Sequence, residues 1–132
     1  MRIQPENVDD IRRRFYSFYD GVVRAVRLNI SSKPRTCEVD IEAKDMESPS
    51  GWSSICLTLL DVSAFRFELG RTTFEVLSGG IQFGWRDGAI CVVLDAYPDD
   101  GEELPDLRTN IAYVIGLSCD VNATAIEPLP KS

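Results

Sequence analysis

From residue 22 to residue 126, apolar and polar side chains alternate with a period of two in one short run after another. Alternation sends successive side chains to opposite faces of a strand, so each run reads as a β-strand with one buried face. The cleanest run is 35–44, where Cys37, Val39, Ile41 and Ala43 fall on one face and Thr36, Glu38, Asp40 and Glu42 on the other. In 22–30, Val22, Val26, Leu28 and Ile30 share a face with Arg24, which places Arg24 near the strand's edge. After the polar loop Asp45–Gly51 the rhythm returns with Ile55, Leu57 and Leu59, breaks near Asp61, and resumes with Phe65, Phe67 and Leu69. Beyond Gly70 it continues through Phe74 and Val76 to a turn at Ser78-Gly79-Gly80. Ile81, Phe83 and Trp85 then run up to Arg86-Asp87-Gly88, and Ile90, Val92 and Leu94 run away from it. Asp-Gly between two alternating runs predicts a tight hairpin, because both residues tolerate positive φ. Residues 110–119 and 121–126 give one long or two short final strands before Pro128 and Pro130.

A different period opens the chain. Val8, Ile11, Phe15 and Phe18 lie three and four residues apart, which makes one apolar stripe on a helix. Asn7 is placed to cap it, Asp9 and Asp10 suit its first turn, and Gly21 is placed to end it. Arg12, Arg13 and Arg14 lie mostly off the stripe and read as a solvated face. Strands spaced this closely, with no βαβ alternation, predict an α+β fold. The expected architecture is one N-terminal helix packed on a curled antiparallel sheet, a sandwich or partly open barrel of about seven or eight strands. With 132 residues, the whole span 1–132 reads as a single domain.

Composition narrows the function. The chain has no histidine, which removes the commonest general base and the commonest metal ligand. Its 44% apolar and 27% charged residues are those of an ordinary soluble protein. No apolar run is long enough to span a bilayer, and MRIQPENVDD has no apolar signal core, so a cytoplasmic location is expected. Cys37, Cys56, Cys91 and Cys119 each stand alone in a predicted strand with no CxxC pair, which predicts reduced thiols packed as small hydrophobes. The net charge of −7 is uneven: residues 1–44 carry a net +2 and residues 45–132 a net −9. Such a surface repels phosphate backbones and anionic membranes, so neither is an expected partner.

The acids concentrate between Asp87 and Leu107, which holds seven of them and no Lys or Arg. A solvated connecting loop is the plain reading, a face for a basic protein partner the second, and a calcium site the third. An EF-hand fails: with Gly101 as the loop glycine, Ala96 and Pro98 fall at ligand positions and Leu107 at the bidentate glutamate. Trp52 follows Gly51 in a polar loop, where an exposed indole beside acids is hot-spot material. Trp85 alternates with Phe83 and Ile81 and reads as core. The candidate partner-binding residues are Trp52, Asp95, Tyr97, Asp99, Asp100, Glu102, Glu103 and Asp106. No catalytic residue, metal ligand or cofactor site is assigned. Ser-His and Cys-His nucleophiles are impossible, and P-loop, GxSxG and dinucleotide glycine patterns are missing. A two-carboxylate enzyme would need a buried, upward-shifted carboxylate facing a second one across a pocket.

Three stretches carry a family resemblance. FYDGVVRAVRLNI (18–30), LTLLDVSAFRFEL (57–69) and LSCDVNATAIEP (117–128) resemble the opening strand, the strand–corner–strand unit and the closing strand of small bacterial immunity proteins of polymorphic toxin systems, the immunity protein fifty group. The resemblance implies a non-catalytic inhibitor that binds and blocks a toxin domain, with no functional residues carried over. A basic toxin would suit the acidic half through charge complementarity. The alternative is a self-associating structural or interaction domain, and either a monomer or a homodimer fits.

Overall fold

The computed structural model describes residues 1–68, 76–95 and 112–127. It is a sheet-dominated α+β fold, with no closed barrel among the described residues. Among the described residues, one helix, α1 (Val8–Arg14), precedes nine strands. They are β1 (Gly21–Asn29), β2 (Thr36–Lys44), β3 (Trp52–Leu60), β4 (Ala64–Phe67), β5 (Val76–Leu77), β6 (Ile81–Arg86), β7 (Ala89–Leu94), β8 (Ala112–Gly116) and β9 (Ser118–Ala125). They form two antiparallel sheets, ordered β5-β1-β2-β3-β9 and β4-β8-β7-β6.

The inner faces are the alternating positions of the sequence. Cys37, Val39 and Ile41 of β2 stand opposite Leu59, Leu57 and Ile55 of β3. Phe83, Val92 and Val114 form a matching row across β6, β7 and β8. All are buried in one apolar core, into which α1 sends Val8 and Ile11 and its C-cap residue Phe15 follows. The Asp87-Gly88 hairpin forms, with positive φ at both residues. Trp85 packs against the core as a partly buried residue.

Several boundaries differ from the periodicity. A register shift between Val23 and Ala25 bulges β1 at Arg24. Before the bulge Val23 faces inward opposite Ile41, and after it Val26 and Leu28 do, opposite Val39 and Cys37. Val22, opposite Glu42, is therefore not on the inner face, and the extra residue frees Arg24 to pair with Glu42 at 2.9 Å. Ile30 lies past the end of β1, and Phe65 and Val76 are exposed. The final strands break at Leu117, not Asp120. There the chain crosses between sheets with Leu117 N–H on the Leu60 carbonyl, and a Cβ on Gly116 would lie only 2.8 Å from that oxygen. This added break makes nine strands. β7 buries residues on both faces, Cys91 and Val93 on the outer one with Tyr113 and Ile115. The unbroken apolar run of residues 89–94 is the sequence mark of such two-sided burial. Leu69, Gly70, Phe74, Pro128 and Pro130 lie outside the described residues.

The helix is shorter than its stripe. It ends at Arg14, and Asn7 makes no cap bond to the helix. Asn7 Oδ1 instead accepts from Gln4 N–H, and its amide donates to the Arg2 carbonyl, which fixes the entry segment. Gly21 is the first residue of β1. It sits where a Cβ would come within 3.1 Å of the Phe18 carbonyl and 3.2 Å of Ile41. Arg13 lies on the solvated face, paired with Asp10 at 3.2 Å, whereas Arg12 and Arg14 are tethers. Arg12 donates to the Phe83 carbonyl at 3.1 Å, on edge strand β6, and Arg14 reaches Asp45 across 31 residues of sequence.

Candidate protein-binding surface

The chain between α1 and β1 is the most strained described segment. Tyr16, Ser17 and Phe18 have φ of 53°, 54° and 62°, and Asp20 follows at 62°. A left-handed non-glycine residue costs about 1–2 kcal/mol, so a run of three persists only where its surroundings force it. Phe18 supplies part of the force. Its side chain is fully buried, with ring centroids 5.3 Å from Phe15 and 5.9 Å from Phe83. Backbone bonds supply the rest: Phe18 N–H to Phe15 O, Tyr19 N–H to Tyr16 O, and Asp20 N–H to Leu77 O. Gly80 closes the other side. Its φ is +73°, and a Cβ there would collide with the Ser17 carbonyl. Driving Phe18 inward throws Tyr16 and Tyr19 outward, 49% and 50% exposed.

Trp52 borders this turn. It is the first residue of β3, opposite Lys44, and is half-buried rather than held out on a loop. The reason is the tight β2–β3 connection. Asp45 N–H bonds to the Gly51 carbonyl and Gly51 N–H to the Ser48 carbonyl, each at 2.9 Å. Both Ser48 and Ser50 hydroxyls donate to the Trp52 carbonyl, at 2.6 and 3.2 Å. A shallow groove of about 430 Å³ runs between Tyr16, Lys44, Met46 and Trp52. Met46 is exposed on it.

Asp45, read in the sequence as part of a polar loop, is the anchor beneath the groove. Its side chain is 2% exposed. It accepts two bonds from the Arg14 guanidinium, at 2.9 and 3.1 Å, one from Glu47 N–H at 3.0 Å and one from the Ser53 hydroxyl. Burial pushes the Asp45 carboxyl up, but these donors together outweigh it and hold it below the usual carboxylate range. Arg14 also pairs with Glu47 at 2.8 Å and lies over the Phe15 ring.

Asp95 reaches the turn indirectly, through Gly79 and Gly80. Its Oδ1 accepts from Gly79 N–H at 2.7 Å, and its own N–H bonds to Gly80 O at 2.8 Å. Gly80 in turn abuts Ser17 and Tyr19. Trp52, which shares the groove with Tyr16, and Asp95, bonded to the Gly80 that abuts Ser17, are thus both linked to the strained turn. Tyr97, Asp99, Asp100, Glu102, Glu103 and Asp106 lie outside the described residues. Sequence reasoning missed Tyr16, Tyr19 and Met46. The two tyrosines fell off the helical stripe, and nothing in the periodicity marks a left-handed turn.

The four cysteines are free thiols. Burial pushes Cys37 and Cys91 up to about 11 and Cys119 to about 12, so all three stay protonated and unreactive at neutral pH. Cys56 alone is half-exposed, on the outer face of β3. Among the described residues no cluster of potential metal ligands occurs, and no helix is long and apolar enough to cross a membrane. Comparison with known proteins finds no matching family model, no matching curated protein and no matching solved structure.

Proposed function

We infer that this chain is a non-catalytic binding protein of the cytoplasm, an immunity-type inhibitor that seats a toxin domain on the surface around residues 16–20. One observation carries the reading: a costly left-handed turn holds two tyrosines outward, Tyr16 on the groove with Trp52 and Met46 and Tyr19 beside Gly80. Strain of this kind collects at ligand-contacting sites. Aromatic residues and methionine are the side chains that dominate protein interfaces. The chemistry of the groove also suits binding better than turnover, because its buried carboxylate is saturated by Arg14 and shifted down, opposite to the shift an acid catalyst needs.

The reading requires a toxin domain encoded beside this protein's gene, and the test is binding to it, measured by calorimetry with the intact chain. Tyr16→Ala and Tyr19→Ala are each expected to weaken binding about tenfold or more, the effect of a 1.4 kcal/mol loss, while circular dichroism stays unchanged. A failure to bind that toxin, or full affinity in the double variant, would overturn the reading. A concentration-dependent doubling of mass, abolished by the same variants, would assign the surface to self-association instead.

A further inference from the structure

A second groove lies at the other end of the first sheet. The β1–β2 connection and the crossover from β3 to β4 face each other there. A cleft of about 290 Å³ opens between Leu28, Ile30, Thr36, Val62 and Phe65. It continues into a broader trough along Ser32, Lys33, Arg35 and Asp61. The floor is apolar and, among the described residues, uncovered. Ile30 is 58% exposed, Phe65 41% and Leu28 37%, and Phe65 is stiffened by stacking on Phe67 with centroids 6.0 Å apart. β2 runs nine residues from this end to the Trp52 end, about 27 Å at roughly 3.4 Å per residue, so the two surfaces are separate.

The charges at the rim indicate the occupant. Elsewhere on the same sheet arginines are matched: Arg24 with Glu42, Arg27 with Glu38 and Asp40, Arg2 with Asp120. Lys33 and Arg35 are exposed on the trough and make no ion pair with any described residue. The chain has 21 acids for 14 bases, so two cations flanking Pro34 with no ion pair to a described residue run against its own composition. Asp61, across the trough, also makes no described ion pair and repels a carboxylate from the crossover side. The acceptor for anions is therefore the β1–β2 connection alone. The cleft sits at the low end of ligand-site volumes, about 300–1,000 Å³. That size fits one or two large side chains of a protein segment.

We propose that this groove docks an acidic segment of a partner protein, with an aliphatic or aromatic side chain in the cleft and carboxylates against Lys33 and Arg35. The proposal is independent of the surface around residues 16–20. It is tested by titrating the isotope-labelled protein with a synthetic capped octapeptide, Asp-Glu-Leu-Asp-Glu-Phe-Asp-Glu, and with a version whose acids are all lysine. The expected result is salt-sensitive shifts of the amide resonances of residues 28–36 and 61–65 with the acidic peptide alone. Binding should fall at least tenfold in the double variant Lys33→Glu/Arg35→Glu, and separately in Ile30→Ser. These positions are exposed, and unchanged resonances elsewhere verify the fold of each variant. Equal shifts with the lysine peptide, shifts confined to other residues, or none at all would overturn the proposal. So would dimerisation without peptide that Ile30→Ser abolishes, which would give the groove to a second copy of the chain.

Discussion

Asp45 shows how a single residue joins the helix to the sheet. Its carboxylate is taken out of water and returned to four donors on three elements: Arg14 from α1, Glu47 in the loop and Ser53 from β3. Replacing it by Asn removes the charge that Arg14 was placed to meet. Asp45→Asn is expected to cost about 2–4 kcal/mol, read as a lower denaturant midpoint. The pH dependence follows from the sign of the shift. The folded carboxyl lies below its unfolded value of about 3.9, so its contribution is fully present above that value and is lost as pH falls through the folded pKa. Wild type should therefore lose stability below about pH 4 more steeply than Asp45→Asn, and the two curves should run parallel at neutral pH. Parallel curves throughout the acid range would show that Asp45 is not the titrating anchor. Gly80 is the other decisive residue. Its φ of +73° and the Ser17 carbonyl at its open side allow no side chain, so Gly80→Ala is expected to destabilise by more than about 1 kcal/mol. The measurement is thermal unfolding.

The element that sets the candidate site is the left-handed turn, and it is open to a direct test. Ser17 has the conformation of a glycine without being one. Ser17→Gly relieves about 1–2 kcal/mol of steric cost and adds about 0.5–1 kcal/mol of chain entropy. A net gain in stability is expected, against a loss for the β-branched Ser17→Val; a destabilised Ser17→Gly would show that the turn is not strained. The sequence pattern could not reveal this turn, because Phe18 fits the helical spacing set by Val8, Ile11 and Phe15. It reaches the same core by a different backbone route. The same limit explains Arg24: a bulge inverts the inward parity of β1 without altering its composition. Where one residue per pleat faces water, as in β2 and β3, alternation locates both the strand and its buried face. Where both faces are covered, as in β7, it located the strand and half of its core. Trp52 and Asp95 were visible as types suited to binding, and the fold links both to one turn. Tyr16, Tyr19 and Met46 became site residues only through that turn.

At the scale of the whole molecule, the proposed binding function raises the question of how an acidic chain would divide its labour between steering and holding a partner. Residues 45–132 carry the net −9, and the densest part of it follows Asp95 directly in sequence. Long-range fields act on encounter, whereas desolvated aromatic contacts act on escape. The two contributions should therefore separate kinetically for a basic toxin domain. Replacing Asp99, Asp100, Glu102 and Glu103 by Ser is expected to slow association about tenfold at low salt, to remove most of its salt dependence, and to leave dissociation nearly unchanged. Tyr19→Ala should do the reverse, speeding dissociation with little effect on association. Surface plasmon resonance at two ionic strengths measures both rates. If the four-serine variant instead dissociates faster at every salt concentration, those acids are contact residues and the binding surface extends well beyond residues 16–20. If Tyr19→Ala slows only association, the tyrosine is not held against the partner, and the strain around it serves the fold alone.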